Sequence, residues 1–160
     1  IPKSSLSIAA VMTVEVHSCP DPSAPADPAC EALILLWSGR PVQAEAALND
    51  LLSMGDSPRL RALRADTWRD QGRYDQAIRA YRALVKERAG TPGEAVMLQH
   101  LGKAYFAANR FREAQQAFGR ALELRISAGS EEDLIASSRL AWDRATQRLE
   151  ASNDSEIPTL

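Results

Sequence analysis

The chain repeats itself, and no other feature constrains its fold as much. The residues Ala65, Trp68, Gly72, Tyr74, Ala77, Tyr81 and Leu84 return 37 positions later as Gly102, Tyr105, Asn109, Phe111, Ala114, Phe118 and Ala121, with the internal spacing unchanged. A fainter copy stands 33 positions earlier, at Ala32, Leu35, Gly39, Pro41, Ala44, Leu48 and Leu51. A period of this size marks one supersecondary unit used several times. Such a unit cannot bury its apolar face alone, so about three of them plus a cap are needed for a stable stack. Within each copy a small residue falls where two helices cross, and a ring or a Leu fills the space beside the crossing. This places Gly102 and Ala65 at the crossing on a first helix and Ala114 and Ala77 at the crossing on a second, with Gly102 and Ala114 expected in close contact.

Turn signals cut the chain into the parts of that unit. The apolar residues take a helical period, broken at Ser38-Gly39-Arg40-Pro41, Gly55-Asp56-Ser57-Pro58, Gly72, Gly90-Thr91-Pro92-Gly93, Asn109 and Gly129-Ser130. Seven helices are expected, at about 28–37, 41–54, 58–71, 74–88, 93–108, 111–128 and 131–150. Connections this short force antiparallel hairpins. Pro41 and Pro58 suit a first helical turn, where their missing N–H has no partner to lose. Asp56 or Ser57, Thr91 and Ser130 are placed to accept from the orphan amides of the helices they precede. The fold class is all-α, with residues 28–150 as the helical domain. Residues 1–27 form an N-terminal extension and arm, with Pro20, Pro22, Pro25 and Pro28 in one stretch, and residues 151–160 read as a disordered tail. Met12 offers an alternative initiator, with residues 1–11 then an upstream extension.

The run Leu101, Gly102, Tyr105, Asn109, Phe111, Ala114, Phe118, Ala121 resembles the tetratricopeptide pattern L-G-x2-Y followed by A-x3-F. The resemblance is strong over 58–128 and weaker out to residues 28 and 150. It implies a right-handed solenoid of antiparallel helix hairpins, about three repeats long. The last helix carries Leu140-Ala141 where Leu101-Gly102 would recur and so caps the stack. The family binds extended peptides or partner helices in a concave groove lined by the first helix of each repeat. Carried over position by position, the groove is Arg59, Ala62, Asp66, Arg69 and Asp70 in one repeat and Val96, Gln99, Lys103, Phe106 and Ala107 in the next. The capping helix contributes Ile135, Ser138, Trp142, Ala145 and Thr146, and the first repeat Ala26, Ala29, Leu33, Leu36 and Trp37. The implied partner-binding residues are Arg59, Asp66, Arg69, Gln99, Lys103, Phe106 and Trp142. Phe106 and Trp142 either anchor a partner or pack between helices. Arg59, Asp66, Arg69 and Asp70 read equally well as ion pairs one helical turn apart on a solvated face. Co-chaperone members of the family clamp a peptide C-terminus with Lys, Asn and Arg, and this sequence departs from that set at Ala62 and Asp66.

Composition narrows the function. Apolar residues make up 45% and charged residues 25%, as in soluble globular chains. Aromatic residues are only 6%, which favours close-packed helices with small side chains. No apolar run reaches the length of a membrane span, and Leu6 to Val16 is too interrupted for a secretory leader. Arg outnumbers Lys sixteen to three, as in a GC-rich genome, and a bacterial-type cytoplasmic setting is the expectation. His17 and Cys19 supply half a metal site at most, Cys19 and Cys30 make no disulfide framework, and His100 reads as a helix-interface residue. With no phosphate loop, matched nucleophile or zinc spacing, an enzyme, a metal and a cofactor are all unexpected.

Charge is divided along the chain. Residues 1–57 carry two basic and seven acidic side chains (−5), 58–128 carry fourteen and seven (+7), and 129–160 carry three and seven (−4). A basic middle suits an acidic partner bearing apolar anchors. The expected function is therefore a non-catalytic peptide or protein adaptor. A self-associating module is the alternative, its apolar end covered by a second copy or by the Pro-rich arm lying over Leu33, Leu36 and Trp37. Nucleic-acid binding comes third, since it rests on the basic middle alone.

Overall fold

The computed structural model describes residues 27–154. Seven helices follow in order, α1 Cys30–Trp37, α2 Pro41–Met54, α3 Pro58–Asp70, α4 Tyr74–Arg88, α5 Gly93–Ala107, α6 Phe111–Ser127 and α7 Glu132–Asp154, and no strand occurs among the described residues. Each helix packs on the next, giving the all-α array of hairpins that the repeat implies. In addition α3 packs against α5, while no comparable contact joins α4 to α6. The first helices of the second and third hairpins are thus drawn together, and the layer they form is the closed side of the array.

The expected boundaries shift at both ends. Helix α1 begins at Cys30 and not at Pro28, because the Asp27 carboxylate accepts from the Ala29 amide at 3.0 Å and turns the chain just before the helix. Helix α7 continues to Asp154, so the first four residues of the expected tail are helical. Nothing in the stretch stops it, since the first Gly or Pro after Gly129 is Pro158. The expectations for residues 1–26 and 155–160 lie outside the described residues.

The turn residue of the repeat has a backbone cause. Gly72 (φ 75°) and Asn109 (φ 58°) hold the left-handed position after α3 and α5, where the chain must leave the helix and reverse. Gly needs no compensation there, and Asn is among the few side chains that tolerate it. This explains why those two residue types alternate 37 positions apart.

The main core runs through α3 to α7 and includes Ala65, Tyr81, Leu101, Phe118 and Ala141. A smaller cluster, Ala29, Ala32, Leu33, Leu48 and Leu63, holds the first hairpin to α3. Phe118 is fully buried, and its ring occupies the space over Gly102: a Cβ on Gly102 would lie 2.5 Å from Phe118 Cε1. What the glycine admits is the ring four residues beyond Ala114 and not Ala114 itself, which corrects the expected contact while keeping its register. Between hairpins, Glu45 of α2 accepts from Trp68 Nε1 (2.7 Å), Gln71 Nε2 (2.7 Å) and Arg73 Nη1 (2.9 Å). Burial alone would raise the Glu45 pKa, but these donors hold it below the usual carboxylate range.

Capping follows the sequence in one place and departs from it in another. Pro41 and Pro58 both stand in the first turn of their helices, and Ser57 Oγ accepts from the Leu60 amide at 3.1 Å. Thr91 instead donates its hydroxyl to Arg88 O, and α5 starts without a side-chain cap. Ser57→Ala is expected to lower stability by about 1 kcal/mol through loss of that acceptor, measured as a shift in urea midpoint at constant m. Ser57→Asp should recover it, and an Asp variant no better than Ala would show that the cap adds nothing.

Candidate partner-binding surface

The polar residues expected on the first helices divide into a floor and a rim. Gln99 (1% exposed) and Ser138 (0%) sit at the bottom, and Asp66 and Lys103 are buried beside them. Arg59 is exposed, and Arg69 and Phe106 are partly so. Burying polar groups costs several kcal/mol each unless they are paired, so each buried group sends its bonds somewhere definite.

On α3 the Asp66 carboxylate takes Arg69 Nη1 at 2.7 Å and stands 3.4 Å from His100 Nδ1 on α5. The His100 ring stacks on Tyr81 of α4, with centroids 5.5 Å apart, and the Tyr81 hydroxyl donates to Ala62 O at 2.8 Å. His100 is thus the interface residue its setting suggested, here joining three helices. Burial would raise the Asp66 pKa, yet Arg69 and then His100 outweigh it and hold the carboxyl well below its ordinary range. Burial would likewise lower Arg69, but Asp66 and Asp70 keep it firmly protonated. Burial, with Asp66 nearby, pushes the Tyr81 phenol well up, so it stays a neutral donor.

A second buried network joins α5, α6 and α7. Arg125 Nη1 donates to Ser138 Oγ (2.6 Å) and Leu134 O (3.0 Å), and Ser138 Oγ donates to Gln99 Oε1 (3.0 Å). Arg125 carried no signal in the sequence, since nothing local tells a buried Arg from the many exposed ones. Gln99 and Ser138 did, because they occupy the same place in successive first helices, 39 residues apart.

The remaining expected residues separate. Arg59 forms a two-point ion pair with Asp27, whose carboxyl the Arg59 hydrogen bond holds below its ordinary pKa. Phe106 meets Phe111 edge to face with centroids 5.2 Å apart, and the Arg148 guanidinium lies 5.0 Å over Phe111. Trp142 (37% exposed) rests on α6, where a Cβ on Gly119 would stand 3.2 Å from its ring. Phe106 and Trp142 therefore both pack against neighbours and both keep some exposed surface. The structure gathers Asp66, Arg69 and His100, sets Gln99 against Ser138, and leaves Arg59 and Trp142 each on its own flank.

Carboxylates also occupy much of the basic middle. Arg61 pairs with Asp56 and Glu87, Arg73 with Glu45, Arg110 with Glu113 and Arg120 with Glu123. The field outside the protein is weaker than +7 implies. Among the described residues no group of His, Cys, Asp and Glu is arranged to hold a metal ion, and no helix is long and apolar enough to cross a membrane.

Residues 59–127 match a family model described as tetratricopeptide repeat, which covers α3 to α6 with their turns. The chain belongs to the tetratricopeptide repeat family. A search of curated proteins gives no match. Tetratricopeptide repeats generally mediate protein–protein interaction and are typically non-catalytic scaffolds. In this tetratricopeptide array the matched segment contains both polar clusters' α5 members and the Gly102–Phe118 contact, so family pattern and candidate surface coincide.

Proposed function

We propose that this chain is a non-catalytic adaptor that holds a segment of another protein along its layer of first helices. The observation that supports this reading is the division of that face. Asp66, Gln99 and Lys103 are buried as a floor, while Arg59, Arg69, Phe106 and Trp142 keep contact with solvent around it. A rim of Arg and aromatic side chains over a dry base is the composition that dominates interface energetics. The ligand that fits best is an acidic segment with one or two large apolar side chains. Its carboxylates would replace Asp27 at Arg59, and its apolar groups would lie against Phe106 and Trp142.

Charge should act on encounter and the rings on residence. With a partner in hand, Phe106→Ala is expected to raise the off-rate by one to two orders of magnitude, from a loss of roughly 2 kcal/mol. Asp27→Asn should free Arg59 and speed association, by an amount that shrinks as salt is added. Surface plasmon resonance measures both. Unchanged off-rates for Phe106→Ala and Trp142→Ala would refute the assignment of this face.

A further inference from the structure

The two ends of the array differ. At the far end α7 caps the stack and turns Glu132, Asp133, Arg139 and Glu150 to solvent. At the near end α1 and α2 leave an open cleft of about 480 Å³, with an apolar base of Pro28, Ala32, Leu35, Ala46, Ala47 and Leu51. It lies on the side of the first hairpin away from α3, where a preceding helix would pack in a longer stack. Its charges sit at opposite ends, Glu31 and Asp50 beside the start of α1 and Arg40 beside the turn.

We propose that residues 6–16 of this same chain occupy the cleft and cap the near end. Three observations carry this. The chain enters the described region at the cleft itself, since Pro28 lines it and Asp27 is pinned to Arg59 next door. The run Leu6 to Val16 supplies Leu6, Ile8, Val11, Met12, Val14 and Val16 with Glu15 as its one charged side chain, and it is the apolar stretch nearest in sequence to the cleft. The charges match in one orientation, with Glu15 towards Arg40 and Lys3 towards Glu31 and Asp50. The stretch from Arg40 to Asp50 measures about 15 Å at helical rise, and the twelve steps from Lys3 to Glu15 span about 18 Å at the same rise. In this orientation the eleven residues His17 to Asp27 must return along the cleft. A Pro-rich chain of that length reaches about 34 Å, which is ample. Tethering also raises the local concentration to the millimolar range, so a contact with a dissociation constant of ~1 mM is made about half the time. The segment differs from the Pro-rich arm as a cover: the arm is the strap, and residues 6–16 are the occupant. It also keeps the apolar cleft from pairing with a second copy.

The test uses the full chain with the photo-crosslinking residue p-benzoylphenylalanine in place of the exposed Ala46. Equal amounts of natural-isotope and 15N-labelled chain are mixed, irradiated and mapped by mass spectrometry. The expected products join position 46 to residues 6–16 within one isotopic chain. Products joining light to heavy chains would make a second copy the occupant and overturn the proposal, as would products that never involve residues 6–16. Val11→Asp in the same background should cut the intrachain products about tenfold, because a buried unpaired carboxylate costs more than 1.4 kcal/mol. Val11→Leu should keep them. Equal yields from the Asp and Leu variants would also overturn the proposal.

Discussion

Gly102→Leu is expected to lower the melting temperature by roughly 10 °C, the effect of losing about 2–3 kcal/mol in a domain of this size. Two terms compete. Replacing a mid-helix glycine by leucine favours α5 by about 0.8 kcal/mol through backbone entropy. Against it, even the first added carbon would stand 2.5 Å from a fully buried Phe118 ring, which has no free rotamer to take. Overpacking wins. The diagnostic is coupling: Phe118→Ala alone should cost about 3–5 kcal/mol, while the double variant should lose clearly less than the two single losses combined. Additive losses would mean that Gly102 and Phe118 do not share one contact, and the repeat register would be wrong.

Asp66→Asn is expected to cost about 2 kcal/mol at pH 7. Breaking a buried ion pair costs about 3–5 kcal/mol, but Arg69 keeps Asp70 at 2.9 Å and some water, which discounts the loss. The pH dependence gives the assignment its sign. The Asp66 pKa is lower folded than unfolded, so its stabilisation is complete above the unfolded value near 4 and is lost as pH falls below it. Urea midpoints of wild type and variant should therefore differ at pH 7 and converge by about pH 3. A gap that stays constant with pH would place the cost in packing and not in the Asp66 charge.

The sequence made the hairpins legible because their determinants are local. Small residue, ring, turn glycine and second small residue recur at fixed spacing, and each acts within one or two helices. The same locality limits what the pattern says about the surface. That Asp66 and Arg69 form an i,i+3 pair could be read from α3 alone, and Gln99 opposite Ser138 could be read from the register between repeats. That Arg59 is taken by Asp27 could not, because the carboxylate arrives from 32 residues away through the bend before α1. Nor could the place of Trp142, which depends on Gly119 leaving room on α6. Position within the repeat gave Trp142 a groove address, and the steric gap opposite gave it a bed on the neighbouring helix. The end of α7 was missed for a simpler reason. Polar residues 151–154 look like a tail, but with no breaker among them a helix already anchored by Ala141 and Ala145 continues.

The most direct test of the adaptor reading compares the two sides of the array against one native partner. Phe106→Ala with Arg69→Glu alters the layer of first helices, and Arg79→Glu with Arg82→Glu alters exposed positions on α4. Affinities are measured by calorimetry for each pair, with circular dichroism confirming that both variants keep their helices. The adaptor account predicts that the first pair weakens the complex by at least about 100-fold and the second by less than about threefold. Loss of binding through Arg79 and Arg82, with the first-helix pair binding like wild type, would contradict it.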